Sequence, residues 1–168
     1  ADEVDSRDII VQSMISDEAN ATPTATSVAT TAPEQETEKA ERSKIGSMDW
    51  DSDDAYRLAK IAMAEAESES TEGKAMVILV MLNRVFSPEF PVTIEEVIFQ
   101  DGQFSPIKSG RWDAVEPNTD CWAALDLVYA GWDESEGALY FEAEWNENTW
   151  HKDNLKFIKK VGKQNFYK

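Results

Sequence analysis

The sequence predicts an α+β fold, a mainly helical lobe followed by a small antiparallel β-sheet near the C-terminus. Three observations carry this reading. Every Phe, Trp and Tyr lies at or after Trp50, so the compact part starts there. From Trp50 to Gly131 apolar residues recur at helical spacing between capping residues. Beyond Gly131 the period falls to two, and Gly162-Lys163 is placed to turn a hairpin. Helices followed by strands, each in their own stretch, give α+β.

Residues 1–48 are read as a disordered, acidic, Ala/Thr/Pro-rich linker. "ANATPTATSVATTAPEQETEKAE" cannot bury enough apolar surface to offset the entropy of ordering, and its composition is that of a flexible connector. Within the same stretch "RDIIVQSMI" is a leftover apolar patch, or a short helix against a partner or anchor. Residues 49–168 form the compact domain.

"DWDSDDAYRLAKIAMAEAE" opens with Asp and Ser residues suited to capping, and the spacing predicts a helix over Asp53–Glu67. "TEGKAMVILVMLNRVF" predicts a second helix over Thr71–Phe86. Its run from Ala75 to Leu82 is apolar on every side, which predicts a central, buried position. "SPEFP" stops it, because proline removes a donor and restricts its predecessor. "TIEEVIF" is a short helix capped by Thr93. "QDGQFSPIKSGRWD" reads as loop turned at Gly102 and Gly110. "NTDCWAALDLVYAGW" is a third long helix, capped at Asn118 or Thr119 and stopped at Gly131. "GALYFEAEW" reads as a strand and "LKFIKKVGKQNFYK" as a hairpin.

Composition narrows the function. A chain of 168 residues holds one domain with residues to spare. A net charge of −17 repels nucleic-acid phosphate and anionic lipid, so neither is an expected partner. With Cys121 the one cysteine, there is no intrachain disulfide and no cysteine-rich metal site. His151 is the one histidine and has no obvious partner in the local sequence, so no histidine triad or zinc site is expected. No apolar run reaches the roughly 18 residues of a membrane helix. No signal peptide is recognised, and the opening "ADEVDS" is compatible with a mature terminus left by an A-x-A-type cleavage.

The first helix carries the chemistry. Leu58, Ile61 and Ala62 lie on one stripe at helical spacing, and the next positions on that stripe are Glu65 and Glu69. An apolar setting disfavours a charged carboxylate and raises its pKa. Glu69, one turn on, pushes the same way. A carboxyl group that keeps its proton near neutral pH can serve as a general acid, and protonating the leaving oxygen of a glycosidic bond needs such a group. The alternative is a rotated helix with Glu65 in water. The aromatics after residue 110 (among them Trp112, Trp122, Trp132, Tyr140, Trp145 and Trp150) and the polar Gln103 and Ser105 of "GQFS" suit a sugar.

The order "LNRV", "FPVTIEEVIFQDGQFSPI" and "GALYF", after "AEAESE", resembles the cell-wall hydrolase family of spore-cortex-lytic enzymes, the SleB/CwlJ type. The resemblance runs from about Tyr56 to Tyr167. It implies a fold like goose-type lysozyme and lytic transglycosylases, and cleavage of the MurNAc–GlcNAc β-1,4 bond of peptidoglycan without metal or organic cofactor. The family's A-E-A-R-G-E motif puts its catalytic glutamate on Glu65 and its second glutamate on Glu69. Gln103, Ser105 and Tyr140 are the expected substrate contacts, with Glu69 either binding substrate or tuning Glu65. The partner implied is the peptidoglycan glycan strand, met as a monomer, secreted or at the bacterial cell surface. Two departures stand out: Glu67-Ser68 replaces the motif's Arg-Gly, and Gln164 replaces the histidine of G-x-H-x-F. The first keeps two other readings open, an inactive sugar-binding module and a structural protein of a cell-surface machine. For hydrolysis, Asp101 and Asp113 are the conceivable second carboxylates.

Overall fold

Asp51 opens the first helix by accepting the N–H groups of Asp53 (3.0 Å) and Asp54 (2.9 Å) on Oδ1. In the computed structural model, which describes residues 50–168, helix α1 therefore spans Ser52–Ala66, one residue earlier at each end than the spacing predicts. The expected linker over 1–48 lies outside the described residues. At the other end the wholly buried Lys74 donates from Nζ to the carbonyls of Glu67 (3.1 Å) and Glu69. These two carbonyls of the turn leaving α1 thus find a buried cationic donor.

Helix α2 (Thr71–Phe86) is capped by the Ser70 hydroxyl, which accepts from the Gly73 N–H. Every residue from Ala75 to Leu82 is buried. The helix packs on α1, on α3 (Ile94–Ile98) and on α6 (Thr119–Tyr129), the central position its all-round apolarity predicts. Each of its large buried side chains contributes on the order of 2 kcal/mol relative to exposure. Thr93 caps α3 through the Glu96 N–H, and Asn118 caps α6 through the Cys121 N–H.

The stretch read as plain loop is partly helical. Helix α4 (Ser105–Ser109) and helix α5 (Arg111–Ala114) meet at Gly110, whose φ of 76° breaks one from the other. Pro106 has the fixed φ that a first helical turn uses, a start signal that the flanking glycines mask.

The sheet has the order β1-β3-β2, antiparallel throughout, from β1 (Tyr140–Ala143), β2 (Phe157–Val161) and β3 (Gln164–Tyr167). Tyr140 pairs with Tyr167, and Gln164 lies opposite both Ala143 and Val161. The turn falls at Gly162-Lys163 as expected. The strand in "GALYFEAEW" is shorter than the alternation suggests, because turns at Ser135–Ala138 and Ala143–Asn146 close in on it. A short helix, α7 (Trp150–Asn154), joins β1 to β2 and has no counterpart in the expected elements. Phe104 stacks on Phe141 and Phe141 packs tilted against Phe166, with centroids 6.2 and 6.0 Å apart, and the three join the two lobes. Among the described residues no helix is long and apolar enough to cross a membrane.

Candidate active site

Glu65 sits in the last turn of α1, where Leu58, Ile61 and Ala62 of its stripe are wholly buried. It lines a cleft of about 930 Å³ walled by both lobes: the end of α1, Arg84 of α2, the 102–105 turn, β1, the 145–151 segment and Gln164 of β3. Burial pushes the Glu65 carboxyl up to about 7, and the charges of Arg111 and Arg84 pull against that rise. The group therefore keeps its proton close to neutrality, the condition for a general acid.

Glu69 contributes nothing to that shift, contrary to expectation. Its Oε2 accepts the Lys163 N–H at 3.1 Å, so the carboxylate holds the hairpin turn. The slot is made by two glycines. A Cβ added at Gly162 would lie 1.7 Å from Oε2, and one at Gly73 would lie 2.9 Å from the Glu69 Cβ. Glu69 still lines the cleft, as do Gln103, Ser105 and Tyr140. The structure thus gathers Glu65, Glu69, Gln103, Ser105 and Tyr140 around one opening. Asp101 and Asp113 do not line it. Asp101 is fully exposed, 4.0 Å from Lys108, and Asp113 is exposed on α5.

Arg84 organises the floor. It is 3% exposed. Its Nε donates to the Leu139 carbonyl (2.7 Å) and its NH1 to the Gln103 Oε1 (3.1 Å). The guanidinium lies over the rings of Phe90, Phe104 and Tyr140, 4.7, 5.0 and 5.3 Å from their centroids. Burial lowers its pKa to about 10 while Tyr140 and Glu65 oppose the drop, so it stays charged at neutral pH. The signal for it in the sequence is a lone arginine closing an apolar helix. Gln103 is therefore set by Arg84, and its amide N–H groups have no partner among the described residues.

A second polar group is built on β1. Glu142 is buried, yet each oxygen is engaged. Oε1 accepts from the Tyr167 hydroxyl (2.7 Å), and Oε2 from Asn146 Nδ2 (3.1 Å). His151 Nδ1 stands 3.2 Å from Oε2, without the alignment of a hydrogen bond. His151 thus has a charged neighbour after all, supplied by the fold rather than the local sequence. Burial and the Glu142 carboxylate push the Tyr167 hydroxyl up to about 12. Among the described residues no three His, Cys, Asp or Glu side chains converge as a metal site.

The departure at Glu67 is compensated. Glu67 pairs with Arg111, whose Nε also donates to the Ala64 carbonyl at 2.9 Å. Glu67 does not line the cleft, whereas Ser68 does.

The sequence profile of the Cell Wall Hydrolase family matches residues 68–167. That stretch holds Glu69, Gln103, Ser105 and Tyr140 and begins three positions after Glu65. The spore cortex-lytic enzyme of Bacillus subtilis is 34% identical over 118 residues, 70% of this chain and 38% of its own length. That of Oceanobacillus iheyensis is 33% identical over 126 residues, 71% of this chain and 43% of its own length. The chain thus spans about two fifths of these relatives. Among solved structures, the catalytic domain of the germination-specific lytic transglycosylase SleB from Bacillus anthracis superposes with a TM-score of 0.65 at 30% identity, covering 72% of this chain and 98% of that domain. The catalytic domain of the Bacillus cereus SleB protein has the same score and identity. With a profile match over residues 68–167 and relatives more than 30% identical over about 70% of its length, this chain belongs to the cell wall hydrolase family.

Proposed function

We propose that the chain cleaves the MurNAc–GlcNAc β-1,4 bond of peptidoglycan as a lytic transglycosylase with Glu65 as its one catalytic carboxyl group. The observation that carries this is the Glu65 carboxyl placed in a cleft between two lobes, where burial raises its pKa to about 7. The names of the relatives, spore cortex-lytic enzyme and lytic transglycosylase, support the substrate and the reaction class.

In this mechanism Glu65 gives its proton to the glycosidic oxygen as the C1–O bond breaks. The Arg84 and Arg111 charges that oppose the rise of its pKa stabilise the carboxylate left behind. That carboxylate then takes the proton of the muramic acid C6 hydroxyl as its oxygen bonds to C1, closing a 1,6-anhydro ring and restoring the acid. Gln103, held by Arg84, offers its amide N–H groups to the glycan, with Ser105 and Tyr140 beside it. Glu69 supports the cleft through the hairpin. The site of action is the bacterial cell wall, and since one chain supplies the whole cleft, a monomer suffices.

The test is turbidity of a purified peptidoglycan suspension. The native chain should clear it and Glu65→Gln should not. If the native chain leaves turbidity unchanged, the enzyme reading fails. Pull-down on the same material then separates a sugar-binding module from a structural protein.

A further inference from the structure

Two of the largest apolar side chains of the molecule are left in water within the cleft. Trp145 is 67% exposed and Trp150 is 50% exposed, and both line the cleft that holds Glu65. None of the other tryptophans lines the cleft. Trp50, Trp112 and Trp132 pack against the core, and Trp122 lies on α6 outside the cleft. Exposed indoles cost free energy that burial would recover, so a pair facing one cleft marks a contact surface.

The segment carrying them is built rather than loose. Asn146 N–H bonds to the Ala143 carbonyl, Asn148 N–H to Asn146 Oδ1, and Trp150 N–H to Asn148 Oδ1, all within 2.9–3.0 Å. The buried Glu142 grips Asn146 from beneath. The Trp150 ring is set edge-on against Tyr140 and His151, with centroids 6.4 and 5.4 Å away. A surface already ordered loses little entropy on binding.

The occupant must be apolar on its faces and polar at its edges, because Asn146 and Glu147 line the same wall between the two indoles. A hexose has that character: the C–H groups of its ring faces are apolar and its hydroxyl and acetamido groups lie around the rim. A lipid chain or an apolar peptide would meet these polar groups without pairing them.

We propose that residues 144–151 form a glycan-binding subsite in which Trp145 and Trp150 stack on a sugar ring of the strand that Glu65 cuts. It rests on the proposed function for the identity of that strand, and the glycan binding itself is measured without cleavage. The full chain carrying Glu65→Gln is titrated with soluble peptidoglycan glycan strands freed of stem peptides. Adding Trp145→Ala should weaken binding about ten-fold, as removal of a central aromatic contact does, and Trp145→Phe should recover most of that loss. Trp150→Ala should act in the same direction. Trp145 has no aromatic partner among the described residues, so its variants keep the fold and carry the test. Unchanged binding, within about two-fold, in both alanine variants overturns the subsite, as does a parent that binds no glycan. A native chain that binds through these tryptophans yet does not cleave would sink the proposed function alone.

Discussion

The side-chain amide of Gln164 donates a 2.9 Å hydrogen bond to the backbone carbonyl of Glu65, across 99 positions of sequence. The central strand of the sheet thus holds the last turn of α1 at the residue whose carboxyl faces the cleft. Gln164 is 7% exposed and takes the place of the histidine that the resemblance puts there. Gln164→Leu removes the donor and leaves a partly buried carbonyl unpaired, which costs about 1–3 kcal/mol. Turnover should fall more than that stability loss explains, because Glu65 moves with its backbone. Gln164→His, with a ring N–H to offer the same carbonyl, should keep most of the activity. Thermal unfolding and peptidoglycan clearing, measured on both variants, check this. A leucine variant as active as the native chain would make the bond a packing detail.

Glu65→Gln keeps the size of the side chain and removes the transferable proton. Clearing should slow at least about a hundred-fold, the usual contribution of a general acid, with the far-UV spectrum unchanged. A variant retaining more than about a tenth of the native rate, far above what loss of such an acid allows, would move the search for the acid elsewhere in the cleft.

The same carboxyl sets a pH dependence of stability. Its pKa rises from 4.5 to about 7 on folding, chiefly through burial, while Arg111 and Arg84 face it and oppose the rise. Below pH 4.5 both states hold the proton, and the group does not favour unfolding. As pH climbs from 4.5 through 7 the unfolded state releases its proton first, so stability is lost across that window. The loss is at most about 3 kcal/mol. Glu65→Gln should therefore match the native thermal midpoint near pH 4 and exceed it at pH 8. Native activity should decline as pH rises past 7, where the acid is no longer protonated. Equal midpoints for the two proteins at pH 8 would show that Glu65 is solvated.

Much of this was legible because its causes are local. The stripe of Leu58, Ile61 and Ala62 is enough to aim Glu65 inward, and Thr93 and Asn118 announce their helices by type and position. The hairpin follows from Gly162-Lys163. What the sequence hides depends on distant partners. Arg84 matters because residues 19 and 55 positions away accept its protons. Glu69 reads as a neighbour of Glu65 until a turn 94 positions on claims its oxygen. Glu142 carries no signal of its own in "GALYFEAEW", because its partners are the Tyr167 hydroxyl, 25 positions on, and the neighbouring His151 brought back by the fold. Helix α7 is too short for a period, and it is entered through side-chain bonds of Asn146, Asn148 and Thr149, which precede it.

Gln103 offers a separate test of substrate contact. It is exposed, and among the described residues the one hydrogen bond of its side chain is the one accepted from Arg84. Gln103→Ala should lower turnover by about ten-fold, the scale of one lost hydrogen bond to a neutral group, beyond whatever the lost acceptor of Arg84 NH1 costs the thermal midpoint. Equal losses of stability and activity would assign Gln103 to bracing Arg84 alone.

The product identifies the nucleophile. Hydrolysis needs a second carboxylate free to activate water or attack the sugar. Besides Glu65, the carboxylates lining the cleft are Glu69, Glu142 and Glu147. Glu69 holds the Lys163 N–H, and Glu142 is buried with both oxygens engaged by Tyr167 and Asn146. Glu147 is exposed, on the segment that carries the two indoles. The nearest nucleophile is then the substrate's own C6 hydroxyl, which has the advantage of an intramolecular group. Muropeptides from purified peptidoglycan should end in 1,6-anhydromuramic acid, lighter by one water than hydrolysis products. Mass spectrometry before and after borohydride treatment decides it. Ends that borohydride reduces would mean that water is the acceptor, and Glu147, besides Glu65 the one cleft carboxylate without a partner among the described residues, becomes the residue to substitute.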